Sequence, residues 1–236
     1  MLEIDSVKTT LNIKMLLVCG TLVAGLWASD AQAATGSFEQ TLSVEGVIQL
    51  DVSTGSGSIT VSTGEAGSVT VVGHIKVGSA FAKRTKAEAE ELVEHFESNP
   101  PVVFEDGRLV VGHIKDKAYR RNVSVSYEIV VPANTEVMSD TGSGSQEITG
   151  IAAPVNADTG SGNITLTDIG GPVTAKTGSG RIKADRVAGG FDGHTGSGSI
   201  SLTVPDIAPG VPSGATSTCS ERTPSTTLRP VSPVSR

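Results

Sequence analysis

Residues 141–202 read TGSGSQEITGIAAPVNAD, TGSGNITLTDIGGPVTAK, TGSGRIKADRVAGGFDGH and TGSGSISL in succession. Thr-Gly-Ser-Gly thus begins at Thr141, Thr159, Thr177 and Thr195, each 18 residues after the last, and once more upstream at Thr54. Self-similarity at a fixed period is the signature of stacked repeats. Five positions after each Thr stand Gln146, Ile164, Ile182 and Ile200, and two further on Ile148, Leu166, Ala184 and Leu202. Ile151, Ile169 and Val187 form another apolar column, and Val155, Val173 and Phe191 a fourth. Apolar residues two apart mark strands with one buried face.

Each unit therefore predicts two short strands, such as Asn163–Thr167 and Pro172–Lys176. The turns between them fall on the tetrapeptide glycines Gly55, Gly57, Gly142, Gly144, Gly160, Gly162, Gly178, Gly180, Gly196 and Gly198, and on the Gly170-Gly171 and Gly189-Gly190 corners. So many glycines oppose a helix. Units stacked about 4.8 Å apart would pair backbone to backbone and align their aliphatic residues in ladders. The expected fold is all-β, a parallel β-solenoid of 18-residue coils.

Composition agrees with such a core. The chain has 236 residues, 28 of them Gly, and only five Phe, two Tyr and one Trp. Val, Ile, Leu and Ala must fill the interior. A net charge of −7 opposes a basic nucleic-acid footprint.

The 87 residues from Thr54 to Thr141 are not a multiple of 18. Ser58–Val61 and Ser68–Val72 alternate like strands. Residues 84–97 (RTKAEAEELVEHFE) have helical composition, with Ala89, Leu92, Val93 and Phe96 on one stripe, and Asn99-Pro100-Pro101 stops them. Pro101–Phe104, Arg108–Ile114 and Asn122–Val131 read as further strands. The expectation is one short α-helix inserted laterally into the solenoid, capping it or covering one face.

The termini differ from this body. Met15–Trp27 is an uncharged apolar run behind Lys8 and Lys14, and Ala31-Gln32-Ala33 follows it. That is the pattern of a secretory signal peptide over 1–33, cleaved after Ala33. Thirteen residues are too few for a bilayer, which needs about 20, so no membrane span is expected in the mature chain. Cys19 lies inside the apolar run rather than after it, which opposes a lipoprotein. The mature chain would hold 16 basic against 22 acidic residues, a net −6, and only Cys219, so no intrachain disulfide. Residues 34–206 form the expected solenoid domain. Residues 207–236 contain 5 Pro, 6 Ser and 5 Thr, and read as a disordered tail, either a linker or the product of a shifted reading frame.

Several motifs have a chemical look. Asp140-Thr-Gly-Ser and Asp158-Thr-Gly-Ser match the aspartic-protease signature, but the same column holds Ser53, Lys176 and His194, so each Asp merely precedes the repeated turn. The period, twice nine, suggests calcium-binding rolls, yet the column nine after the Thr holds Gly150, Asp168 and Arg186 rather than a carboxylate ladder. Val72-Gly-His-Ile-Lys76 recurs at Val111–Lys115, inviting a two-His metal site through His74 and His113, but both read as outward residues of surface strands. Thr165 and Thr167 resemble an ice-binding Thr array, which Lys183 and Asp185 break in the next coil. Nothing has zinc spacing, a nucleophile with its base, or a phosphate loop. Catalytic, cofactor and metal sites are all expected to be absent.

The combined pattern resembles the bacterial "putative adhesin" family. The residues that carry the resemblance are Tyr127-Glu-Ile-Val-Val-Pro132, Val137-Met-Ser-Asp-Thr-Gly-Ser-Gly144 and the coils after it, together with Gly55-Ser-Gly-Ser-Ile-Thr-Val61 and the helical stretch. It covers about residues 38–204. The resemblance implies an exported β-solenoid of the cell surface or envelope with no established catalytic residue. More coils would be expected at the C-terminal end than this chain carries. The resulting expectation is a non-enzymatic exported protein, in the periplasm, on the outer surface or outside the cell. It would present outward residues such as Thr165, Lys183 and Asp185 to a protein or glycan of a cell surface or envelope. The alternatives are a periplasmic accessory or stress-response component that binds another envelope protein, and a polysaccharide-acting enzyme.

Overall fold

The structure, a computed structural model, describes residues 34–78, 86–114 and 123–203. The leader at 1–33 and the tail at 207–236 lie outside the described residues. Among the described residues the strands are β1 (Ala34–Ser43), β2 (Gln49–Ser56), β3 (Ile59–Thr63), β4 (Ser68–Val77), β5 (Val102–Glu105), β6 (Arg108–Val111), β7 (Val123–Val131), β8 (Glu136–Ser143), β9 (Gln146–Thr149), β10 (Val155–Ser161), β11 (Ile164–Ile169), β12 (Val173–Val187) and β13 (Phe191–Thr203). One helix, α1 (Lys86–Ser98), lies between β4 and β5.

The strands make one curled sheet whose two walls share a core. The first wall runs β5-β6-β2-β8-β10 and the early parts of β12 and β13; the second runs β1-β4-β7-β3-β9-β11 and their later parts. From β8 onward, residues 18 apart pair in parallel register: Val137 with Val155, Val155 with Val173, Val173 with Phe191, and Ile164 with Ile182. The strands are nevertheless mixed, which corrects the all-parallel expectation. β1, β4 and β7 pair antiparallel, as do β5 and β6. Parallel pairing needs a crossover between every two strands. The segment before β8 instead turns back on itself through short reversals at Gly67 and at Asp106-Gly107, both with positive φ.

Stacking order departs from chain order. The coil made by β2 and β3 sits between the β6–β7 coil and the β8–β9 coil. Thr54 is therefore the direct partner of Thr141, although 87 residues separate them. The chain builds its second coil, leaves through β4 and α1, returns to lay the coil beneath, and then continues upward.

The tetrapeptides at Thr54, Thr141 and Thr159 end their strands at the Ser, as turns would, whereas those at Thr177 and Thr195 lie inside continuous strands. β12 pairs with β10 up to Ser179 and with β11 from Ile182, so it passes from one wall to the other without interruption. At each bend the Thr side chain is buried and its hydroxyl donates to a carbonyl of the neighbouring coil. Thr141 reaches Gly57 O at 3.2 Å, Thr159 reaches Gly144 O at 3.2 Å, Thr177 reaches Gly162 O at 3.1 Å and Thr195 reaches Gly180 O at 3.3 Å. The same carbonyl abuts the second glycine of the next tetrapeptide. A Cβ on Gly162 would stand 1.9 Å from Gly144 O, and one on Gly180 would stand 1.9 Å from Gly162 O. The glycine is required because two backbones meet there, beyond any freedom of φ.

Inside, Leu50, Val137, Val155, Val173 and Phe191 form one ladder and Ile59, Ile164, Ile182 and Ile200 most of another. Gln146 interrupts the second ladder. It is buried, and Ser139 Oγ donates to its Oε1 at 2.8 Å while its amide donates to Asp158 O. The helix lays Ala89, Leu92, Val93 and Phe96 against β1 and β4, where Gly36 leaves room for Val93. Asn99 closes it by donating to His95 O, and Pro100 and Pro101 follow. Phe38 and Tyr127 pack edge to face at 6.5 Å, with the Phe38 ring against Gly73 of β4.

The bend contact generates a prediction. Gly162→Ala should cost about 3 kcal/mol, because the methyl displaces a backbone that the neighbouring strands hold. Thr159→Val should cost about 1 kcal/mol, the worth of one hydrogen bond. Urea unfolding of the two variants checks the order; equal losses would remove the special role of the glycine.

Candidate recognition surface

Alternate residues of each strand point outward, so the walls carry rows of side chains in register. On the first wall the main row runs Ser53, Asp140, Asp158, Lys176, His194. On the second wall the rows run Glu128, Thr60, Glu147, Thr165, Lys183, Ser201, and then Thr149, Thr167, Asp185, Thr203. Parallel neighbours are about 4.8 Å apart, so each row is a line of adjacent functional groups.

Three groups outside these rows, Asp51, Arg108 and His113, converge at the β2–β6 side of the first wall. Asp51 on β2 is almost buried; its Oδ2 accepts from Arg108 Nη2 at 2.5 Å, and its Oδ1 lies 3.0 Å from His113 Nε2. Burial alone would raise the Asp51 pKa. The bonds from Arg108 and His113 outweigh it and hold the carboxyl below its ordinary value. Asp140, one row along, is shifted the other way. Partial desolvation pushes it up first and the adjacent Asp158 second, with Asp51 adding to them and His113 opposing.

Asp140 and Asp158, which the sequence reading takes as incidental, are thus side by side. They lie on one open wall, whereas a proton-sharing protease pair needs two loops closing on a cleft. His74 and His113 do not meet. His74 stands on β4 in the second wall, with Nε2 3.2 Å from Glu128 Oε1, and His113 follows β6 in the first. Among the described residues no three His, Cys, Asp or Glu side chains are placed to hold a metal ion, and no helix is long and apolar enough to cross a membrane.

Gly150, Asp168 and Arg186, nine residues after the Thr of their repeats, share a left-handed backbone with φ of 81°, 57° and 54°. Arg186 Nε and Nη2 bond both oxygens of Asp168 at 2.5 and 2.8 Å, and its Nη1 bonds Asp185 at 2.6 Å. Asp185 is therefore engaged with its own neighbour, while Lys183 lies between Thr165 and Ser201. The ten tetrapeptide glycines follow the bends: Gly55 faces Gly142, then Gly160, Gly178 and Gly196 in turn, and Gly57 faces Gly144, then Gly162, Gly180 and Gly198.

A second feature lies at the lower end of the second wall. Thr35, Ser37, His74, Lys76, Ser124 and Ser126 surround an open depression of about 470 Å³. It is lined by hydroxyls, but Ser124 Oγ already donates to Ser56 O at 2.5 Å and Ser126 Oγ accepts from Ser58 N at 3.2 Å.

Asp51, Arg108, Glu128 and Arg186 are absent from the sequence reading as partners. Asp51 interrupts the apolar run Leu50–Val52, the one local sign that something special faces outward there. Its partner Arg108 is 57 residues away, and no spacing rule links them.

No family model and no curated protein matches the chain. Among solved structures, a crystal structure of a "putative cell adhesion protein" from Clostridium sporogenes matches with 13% identity and a TM-score of 0.47, covering 72% of this chain and all of that one.

The opposite shifts at Asp51 and Asp140 predict opposite pH behaviour. A lowered folded-state pKa means that Asp51 stabilises the fold above its unfolded value, near 3.8, and that this is lost as pH falls through the lowered value. Asp51→Asn should cost about 1–2 kcal/mol at pH 7 and nothing once both states are protonated. A raised folded-state pKa means that ionised Asp140 works against the fold. Asp140→Asn should stabilise at pH 7 by about 0.5 kcal/mol, and that gain should vanish as pH falls through the raised value toward 3.8. Thermal melts from pH 3 to 8 check both signs.

Proposed function

We propose that this chain is an exported, non-enzymatic β-solenoid of adhesin type. The single observation that carries the reading is the in-register lattice of polar and charged side chains on both walls, held at strand spacing by the stacked strands. Such a lattice suits an extended partner, a glycan or a protein of a cell surface or envelope, contacted by many weak polar groups at once. The leader pattern at 1–33 supports export, and the coils of residues 137–203 carry the recognition rows. Lys183 and Thr165 are the contact residues, because Asp185 is held by Arg186.

Purified protein lacking residues 1–33 should bind a glycan or matrix-protein array, and Lys183→Glu should weaken that binding about fivefold or more with the melting temperature unchanged. Binding that survives Lys183→Glu removes this residue from the contact set. In cells, protease added outside should degrade the protein. Full protection, with recovery of one envelope protein in pull-downs, would favour the periplasmic accessory reading instead.

A further inference from the structure

The last described coil ends in β13. Among the described residues nothing pairs with the far edge of β13, and its polarity follows from the coils beneath. The amides of Val137, Val155 and Val173 donate to carbonyls of the next coil, at Pro154, Pro172 and Gly190, over 3.0, 3.0 and 2.7 Å. On the second wall Gln146 N donates in the same direction to Asn163 O at 2.8 Å. The residues of β13 in these columns are Phe191 and Ile200. By strand alternation Gly193, Thr195 and Leu202 share their orientation, so their N–H and C=O groups face the open edge. Asp192, His194 and Ser201 point their backbone groups back to β12. Leu202 is 37% exposed, whereas Ala184 beneath it is fully buried.

We infer that this edge pairs antiparallel with the same edge of a second copy of the chain, about a two-fold axis normal to both walls. With Gly193 opposite Gly193 of the second copy, Phe191 falls opposite Thr195, and these are the residues whose amides and carbonyls are turned outward. Asp192 then falls opposite His194 of the second copy, twice by symmetry. Those are non-hydrogen-bonded positions, where facing side chains come closest. Centring on His194 instead would set His194 against itself and leave Asp192 opposite Gly196. The charges therefore select the first register.

The second wall closes on the same axis. Gly193 and Ser201 each lie four residues from Ser197 at the bend. With Ser201 on the axis, Ile200 meets Leu202 of the second copy, and both have their backbone groups turned outward. A foreign strand could use the same backbone groups but would not bring the reciprocal Asp192–His194 pair. The interface is isologous, as a closed dimer requires.

Sedimentation of the full chain over a concentration series tests this. The wild type should dimerise. Asp192→Lys, which sets Lys against His194, and His194→Glu, which sets Glu against Asp192, should each weaken the dimer about tenfold. The double variant D192K/H194E sets Lys against Glu and should regain the wild-type dimer. Both positions are exposed, so melting temperatures taken at dilutions where the wild type is monomeric should not fall. A wild type that stays monomeric, single variants that dimerise as well as the wild type, or a double variant no better than the singles would each overturn the pairing.

Discussion

One backbone carbonyl per coil sets the geometry of the stack. The second glycine of each Thr-Gly-Ser-Gly turns its C=O along the stacking direction, where a buried Thr of the next coil donates to it. The next coil's own glycine presses against it, with no room for a Cβ. That contact makes the bend narrow enough for two walls to share one thin core. A thin core is filled by Val, Ile, Leu and Ala, and rings are rare because few places admit them. Phe191 is the exception that fits the rule: in its coil Gly193 replaces Ala175, and the ring occupies the space that the missing Cβ leaves.

The ends of the stack are handled differently. Below, β1, β4 and β7 reverse direction and α1 covers the inner side of β1 and β4, so the core is closed by a helix and an antiparallel edge. Above, β13 keeps the parallel register, and among the described residues its far edge has no backbone partner. An open, regular edge invites pairing with another strand. Among the described residues the two ends of the sheet thus differ, a helix and antiparallel strands at one and a single unpaired parallel strand at the other.

Periodicity also organises the electrostatics. A spacing of 18 residues makes sequence-distant side chains neighbours, and the outcome depends only on what occupies the column. At Asp140 partial desolvation, with the like charge of Asp158 added to it, raises the carboxyl; Arg186 beside Asp168 gives a bidentate pair at a left-handed bend. The wall is a regular frame on which single substitutions create or cancel local charge.

The repeat itself was legible in the chain. Alternating Ile, Leu and Val at two-residue spacing, the 18-residue columns and the apolar stripe of α1 are local signals, and they led to the strands, the helix and the buried rows. The mixed strand directions were not legible, nor was the insertion of β2 and β3 between coils made later in the chain. Neither was the Asp51–Arg108–His113 cluster, whose members meet across 57 and 62 residues. The sequence by itself determined the coil, because backbone spacing and side-chain alternation act over a few residues. Only the tertiary structure decided the order of the coils and the partners of their charges. Where a long excursion rejoins the sheet depends on pairing between distant strands, and such pairing leaves no periodic mark on the chain.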